Sequence, residues 1–207
     1  WNMFLLGEAR SDVFGGTPFG GEATQGMERF PYNTLNAENP GISGFGDLYQ
    51  NINQMNLFIS RTLHTDVLTE SAKNYYLGQV YGLRAYYMYQ LYRSWGDAVF
   101  TEEPSLGFEV GKLAKAATPA AEIFEQVKKD IESSLSYFGP DYTIKEKKSL
   151  WSKASTLIFK ADVYLWSAHR DGGEGDARTA KNALVDIQNN ISRSNLDLMD
   201  TYQGVFA

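Results

Sequence analysis

From Phe45 onward the apolar positions of this chain recur at steps of three and four. Phe45, Leu48, Ile52, Met55 and Ile59 share one face of a first helix, which the pattern predicts to end near Leu63. Thr69 can cap a second helix running to about Trp95, with Leu77, Val80, Met88, Leu91 and Trp95 along one stripe and Gly96-Asp97 as its stop. Seven tyrosines between Tyr75 and Tyr92 point all around this helix, so it is expected at the centre of the array, with neighbours on several sides. A third helix is predicted to open at Thr118-Pro119, with a capping hydroxyl and proline in the first helical position. It carries Ile123, Val127, Ile131, Leu135 and Phe138 on one face and ends at Gly139-Pro140.

Ser149 is read as opening a fourth helix, whose stripe of Trp151, Ala154, Ile158, Ala161, Leu165 and Ala168 alternates large and small residues and so permits close helix approach. Arg170 to Gly175 reads as its exit loop. Asp176 then caps a fifth helix bearing Ala180, Leu184, Ile187 and Ile191. Short connections imply paired hairpins, and stacked pairs would give a solenoid-like array, although no exact internal repeat is visible.

The first part behaves differently. From about Gly7 to Gly44, Gly15-Gly16-Thr17-Pro18-Phe19-Gly20-Gly21 and Asn36-Ala37-Glu38-Asn39-Pro40-Gly41 are dense in turn-forming residues. A loop this long is uncommon in a compact domain unless it is functional or disordered, and Phe14, Phe19, Phe30 and Tyr32 argue for an ordered one. The chain therefore divides into a loop segment, 1–44, and a helical array, 45–207. It opens without an initiator methionine and stops on apolar residues, so a longer natural protein is expected.

Composition narrows the function classes. With 207 residues, 43% of them hydrophobic, the chain can bury one substantial core. A formal net charge of -6 leaves no broad basic surface for nucleic acid. There are no cysteines, hence neither disulfides nor thiolate metal sites, and no apolar run approaches the roughly 20 residues that span a bilayer. The glycine cluster at Gly15 to Gly21 lacks the Lys-Ser/Thr of a phosphate loop. His64 and His169, each at a predicted helix end, have no Asp, Glu or Cys at ligand spacing, and Asp171 to Asp176 misses the alternation of a calcium loop. Neither a cofactor nor a catalytic set is expected.

Two groups of residues remain as candidates. Arg84 falls mid-stripe between Val80 and Met88, where a guanidinium must be paired. The simpler role is structural, bonded to helix-end carbonyls or to a carboxylate, with Asp162 as one candidate partner; the other is an anion or substrate anchor. The N-terminal loop sets aromatic rings beside planar polar side chains, the combination that holds a sugar: Phe14, Phe19, Phe30 and Tyr32 with Asp12, Gln25, Arg29 and Asn33. Asp12, Phe19, Arg29, Tyr32 and Asn33 are taken as the ligand-binding set, against the plainer alternative that the aromatics pack the loop down.

The stretch Gly78-Gln79-Val80-Tyr81-Gly82-Leu83-Arg84-Ala85-Tyr86-Tyr87, followed by Leu91 and Trp95-Gly96-Asp97, resembles the SusD/RagB family of surface lipoproteins. Arg10-Ser11-Asp12, Leu48-Tyr49-Gln50-Asn51-Ile52 with Asn56, Ala120-Ala121-Glu122-Ile123-Phe124, and Lys153-Ala154 to Tyr164-Leu165-Trp166 agree in order. The chain departs from the family pattern at Gln79, Gly82 and Val99. The resemblance implies an all-α, tetratricopeptide-like stack of helical hairpins with a long ligand-facing N-terminal loop, of which the chain is the N-terminal part, and in which Arg84, Trp95 and Asp97 are structural. It also implies non-catalytic binding of oligo- or polysaccharides at the cell outer membrane, delivery to a SusC-like TonB-dependent transporter, and membrane attachment only through a lipid anchor that this chain lacks. A peptide-binding member of the family and a helical glycoside hydrolase are the alternatives.

Overall fold

The computed structural model describes residues 7–11, 29–38, 44–107, 114–145, 148–194, 196 and 200–206. Its helices are α1 (Gly46–Leu63), α2 (Glu70–Trp95), α3 (Ala120–Phe138), α4 (Lys153–Ser167) and α5 (Gly173–Asn189), with short 3-10 turns at either end of the chain. Extended pairing among the described residues is limited to the isolated bridge between Ala98 and Thr118. The chain divides into two compact units, Trp1–Asp47 and Leu48–Ala207. Among the described residues no helix is long and apolar enough to cross a membrane.

The second unit is all-helical, and α2 is its centre. Leu77, Ala85, Met88, Tyr89 and Leu91 are buried, and the partly buried Tyr86, Tyr87 and Tyr92 pack against the same core. Thr69 caps α2 by accepting from the Ala72 amide, and Gly96, at φ +74, turns the chain out of it in a region that L side chains rarely adopt. From α3, Ile123, Val127 and Ile131 complete this core with Phe159 and Val163 of α4. A second cluster joins Leu157 and Ala161 of α4 to Ala180 and Ala183 of α5 and to Tyr142.

Three local expectations are corrected. Pro119 lies outside α3, its carbonyl accepting from the Glu122 and Ile123 amides, and the side-chain cap comes from the α2 exit, where Asp97 Oδ1 accepts from Ala120 N at 2.8 Å. The fourth helix opens three residues later than Ser149: Ser152 and Ser155 form a reciprocal capping box. The expected exit loop is a π-helical turn, Ala168–Gly172, leading directly into α5, so Asp176 sits in the first turn of that helix.

Of the expected α4 stripe, Ala154 and Ala161 are buried and Trp151 packs against the first cluster, but the two large aliphatic positions are not covered. Ile158 and Leu165 are 55% and 52% exposed, because α4 is buried on two faces at once, Phe159 and Val163 toward the first cluster and Leu157 and Ala161 toward the second. A single-stripe reading cannot represent a helix with two buried faces. On α5 the same geometry buries Ala180 and Ala183 and leaves Leu184 exposed.

The reach of Asp97 across to α3 has a measurable consequence. Asp97→Ala leaves an orphan amide at the α3 N-terminus and is expected to lower unfolding free energy by about 0.5–2 kcal/mol, the range for loss of a helix cap. Urea unfolding measures it; an unchanged midpoint would show that water replaces the carboxylate without loss.

Candidate functional site

In the first unit the described part of the loop forms one turn. The Asn33 amide donates to the Phe30 carbonyl and the Thr34 amide to the Arg29 carbonyl, while Asn33 adopts φ +53, a conformation asparagine tolerates better than most residues. Arg10 Nε donates to Asn33 Oδ1 at 2.7 Å, tying this turn to the Glu8–Arg10 3-10 turn. Arg29, Tyr32 and Asn33 are thereby brought into one turn. Phe30 is buried, whereas Tyr32 is 47% exposed. Asp12 and Phe19 lie outside the described residues. Arg10 belongs to the same constellation and was not among the expected site residues; its link to Asn33, far along the chain, has no sequence signal.

Arg84 is buried and paired. Its side chain is 2% exposed, with Nε and Nη2 donating to the two carboxylate oxygens of Asp130 at 2.6 and 2.7 Å and Nη1 donating to Asn56 Oδ1 at 2.9 Å. Glu102 accepts a longer bond from Nη2 at 3.4 Å, and Gln126 donates to both Glu102 and Asp130. The partner is thus Asp130 of α3 and not Asp162, which is exposed. Burial works against the Arg84 charge, but the Asp130 hydrogen bonds and the Asp130 and Glu102 carboxylates outweigh it and hold its pKa above the usual value. Four of the five guanidinium N–H groups are thereby engaged, on a side chain only 2% exposed. Trp95 packs against the first core cluster, and Asp97 caps α3.

The two departures Gln79 and Gly82 meet the same residue. Gln79 Nε2 donates to the Trp151 carbonyl at 3.0 Å, and a Cβ on Gly82 would overlap the Trp151 indole nitrogen. That nitrogen begins a buried relay: Trp151 Nε1 donates to Thr156 Oγ1, Thr156 pairs with Ser134 Oγ, and Ser134 donates to the Gly78 carbonyl. It links α4, α3 and α2 through polar groups that are all satisfied.

Sequence reasoning missed a cleft of about 630 Å³ at the ends of α2 and α4 and the start of α3, lined by Tyr92, Arg93, Phe124, Trp166, Arg170 and Asp171 among others. The Arg93 guanidinium lies 5.0 Å from the Trp166 ring centroid, and that of Arg170 lies 5.7 Å from it. Among the described residues Trp166 Nε1 is buried without a hydrogen-bond partner, a state that costs about 1–3 kcal/mol. The four-residue step from Trp166 to Arg170 was visible in the sequence, but the approach of Tyr92 and Arg93 from another helix was not. His64 donates from Nδ1 to the Ser60 carbonyl at 2.7 Å, the helix-end arrangement expected of it.

The second unit is a stack of helices of the tetratricopeptide type, and the chain is similar in fold to SusD-like proteins of known structure. No family model matches the chain. NanU of B. fragilis superposes on all of it with a TM-score of 0.84 at 49% identity, the match covering 40% of the NanU chain. A SusD superfamily protein from Bacteroides vulgatus covers 96% of the chain with a TM-score of 0.81 at 46% identity, over 39% of its own length. SusD-like protein P38 of Formosa agariphila is 34% identical over 113 residues, which is 53% of this chain and 20% of that protein. In sequence and in fold the chain is SusD-like, and it spans well under half the length of these relatives.

Proposed function

We propose that this chain is part of a non-catalytic protein that captures glycan nutrients at the outer surface of a bacterial cell, held at the outer membrane by a lipid anchor, and passes them to a SusC-like TonB-dependent transporter. The observation that supports this most is the likeness to NanU, 49% identical across the whole chain. The fold is also shared with a laminarin-binding SusD-like protein, TM-score 0.62 at 19% identity over 78% of the chain, and with a protein determined with a xylogluco-oligosaccharide, TM-score 0.65 at 20% identity over 86%.

The ligand surface we assign is the loop carrying Asp12, Phe19, Arg29, Tyr32 and Asn33. Loops carry binding residues disproportionately, and a loop of this length is free to shape a shallow platform. Stacking on one ring removes apolar sugar surface from water and is worth on the order of 1 kcal/mol, so useful affinity requires several such contacts together. Tyr32→Ala and Phe19→Ala are each expected to weaken polysaccharide binding several-fold in isothermal titration, with helix content unchanged by circular dichroism. Binding equal to the parent in both variants would remove the loop from the site. Release of reducing sugar from bound polysaccharide would overturn the non-catalytic reading.

A further inference from the structure

We propose that Thr101 to Ser105, in the connection from α2 to α3, form a strap that opens and closes as one unit, with Asn56 of α1 as its catch. No residue of the strap is buried, so little apolar packing holds it down. Its fastenings are polar and come from three helices. Asn56 Nδ2 donates to the Thr101 carbonyl at 2.6 Å. One turn earlier Asn53 pairs reciprocally with the Ser105 main chain, Oδ1 accepting from the amide at 2.7 Å and Nδ2 donating to the carbonyl at 3.3 Å. Glu102 accepts from Arg84 Nη2 of α2 and from Gln126 of α3. Both flanks are fixed by other means: Phe100 packs against the first core cluster, and the Ala98 and Thr118 main chains bond to each other in both directions.

The catch is set by Arg84. A carboxamide presents an acceptor on one side and donors on the other, and a guanidinium only donates. Arg84 Nη1 donates to Asn56 Oδ1 at 2.9 Å, so the oxygen must face the arginine and the Asn56 donors must face away from it, toward the strap. The reversed amide would set donor against donor. With the strap closed, Asn56 is 1% exposed and Arg84 2%, so water offers neither group a substitute partner. Each of the four fastenings runs from the strap to a helix, and none joins one helix to another, so lifting the strap leaves the core closed beneath it. Arg84 keeps its two bonds to Asp130, while the Asn56 carboxamide is uncovered. A segment held by polar bonds alone opens at a lower free energy than the fold it rests on. The strap is therefore a cover over the Asn56 edge of the buried ion pair, with its pivot at the packed ring of Phe100.

Hydrogen exchange in the folded chain, followed by two-dimensional NMR, tests this. Asn56→Asp keeps an oxygen toward Arg84 and puts another in place of the donor to Thr101, without touching Ser105. At pH 7, with the new carboxyl ionised beside the guanidinium, exchange of the Ser105 amide is expected to speed up about ten-fold or more, while the Ala98 and Thr118 amides stay within about two-fold of the parent. Asn53→Ala, at a partly exposed position, gives the reciprocal reading. It should speed exchange of the Asn56 carboxamide protons by a similar factor, although these bond to the Thr101 carbonyl and not to Asn53. If Asn56→Asp does not fold, the Asn53→Ala reading decides alone. Unchanged exchange at the distant fastening, in either variant that folds, would show that the two asparagines act independently and would overturn the strap. Equal acceleration at Ala98 and Thr118 would overturn it as well, since the connection would then open from its base and not as a separate unit.

Discussion

Arg84→Met is expected to lower unfolding free energy by about 3–5 kcal/mol, because it leaves the Asp130 carboxylate buried without its counter-charge. For a chain of this length that corresponds to a fall in Tm of roughly 6–20 °C at about 2–4 °C per kcal/mol. The loss measures a broken pair and not the net worth of the intact one, since burying two charges is itself costly. Arg84→Met combined with Asp130→Leu should therefore recover much of the deficit. Burial already raises the Asp130 pKa despite the opposing hydrogen bond and charge of Arg84. Without Arg84 the carboxyl is raised further, so the proton is held more tightly in the folded state than in the unfolded chain. The sign follows: the variant approaches the parent below about pH 4, the unfolded value, and falls behind as pH rises through the folded one. Calorimetry across pH 3.5–7 decides it, and a deficit independent of pH would mean that lost packing of the arginine stem, and not the stranded carboxylate, accounts for the effect.

The other large effect is expected at Gly82. Glycine in mid-helix sacrifices about 1 kcal/mol relative to alanine, so its presence in α2 calls for a steric reason. That reason is Trp151, whose indole atoms Cε2 and Cδ1 would stand 2.7 and 2.9 Å from a Cβ at this position. The indole cannot easily give way, because its nitrogen is bonded to Thr156 Oγ1 at 2.8 Å and its carbonyl is held by Gln79. Gly82→Leu should cost about 3 kcal/mol, toward the upper end of overpacking penalties. Adding Trp151→Ala to Gly82→Leu should cost less than Trp151→Ala in the parent, because the cavity left by the indole receives the leucine. Strictly additive losses in this cycle would show that the two positions are not coupled through contact.

Much of the helical array was legible because its signals are local. The caps at Thr69 and the stop at Gly96 are set by neighbours in the chain, and the faces of α1 to α3 repeat at the helical period. The departures at Gln79 and Gly82 were visible as unusual residues, but their shared cause, Trp151, is more than sixty positions away and came only from the structure. Arg84 was recognised as needing a partner because a lone buried charge is prohibitive, and that argument holds whatever the fold. Which carboxylate answered could not be read, since Asp130 and Asp162 both sit on helices at compatible spacing and only the packing of α2 on α3 brings Asp130 into reach.

By itself, then, the sequence determined the helices, most of their ends, the central place of α2 and the obligation to pair Arg84, all consequences of backbone hydrogen bonding, periodicity and desolvation acting over a few residues. Tertiary structure alone decided that α4 is buried on two faces, that Asp97 caps another helix, that Asp130 holds Arg84, and that Arg93, Trp166 and Arg170 meet in one cleft. These depend on which helix lies against which, a choice made by the summed fit of many side chains, and no window along the chain contains both halves of such a contact.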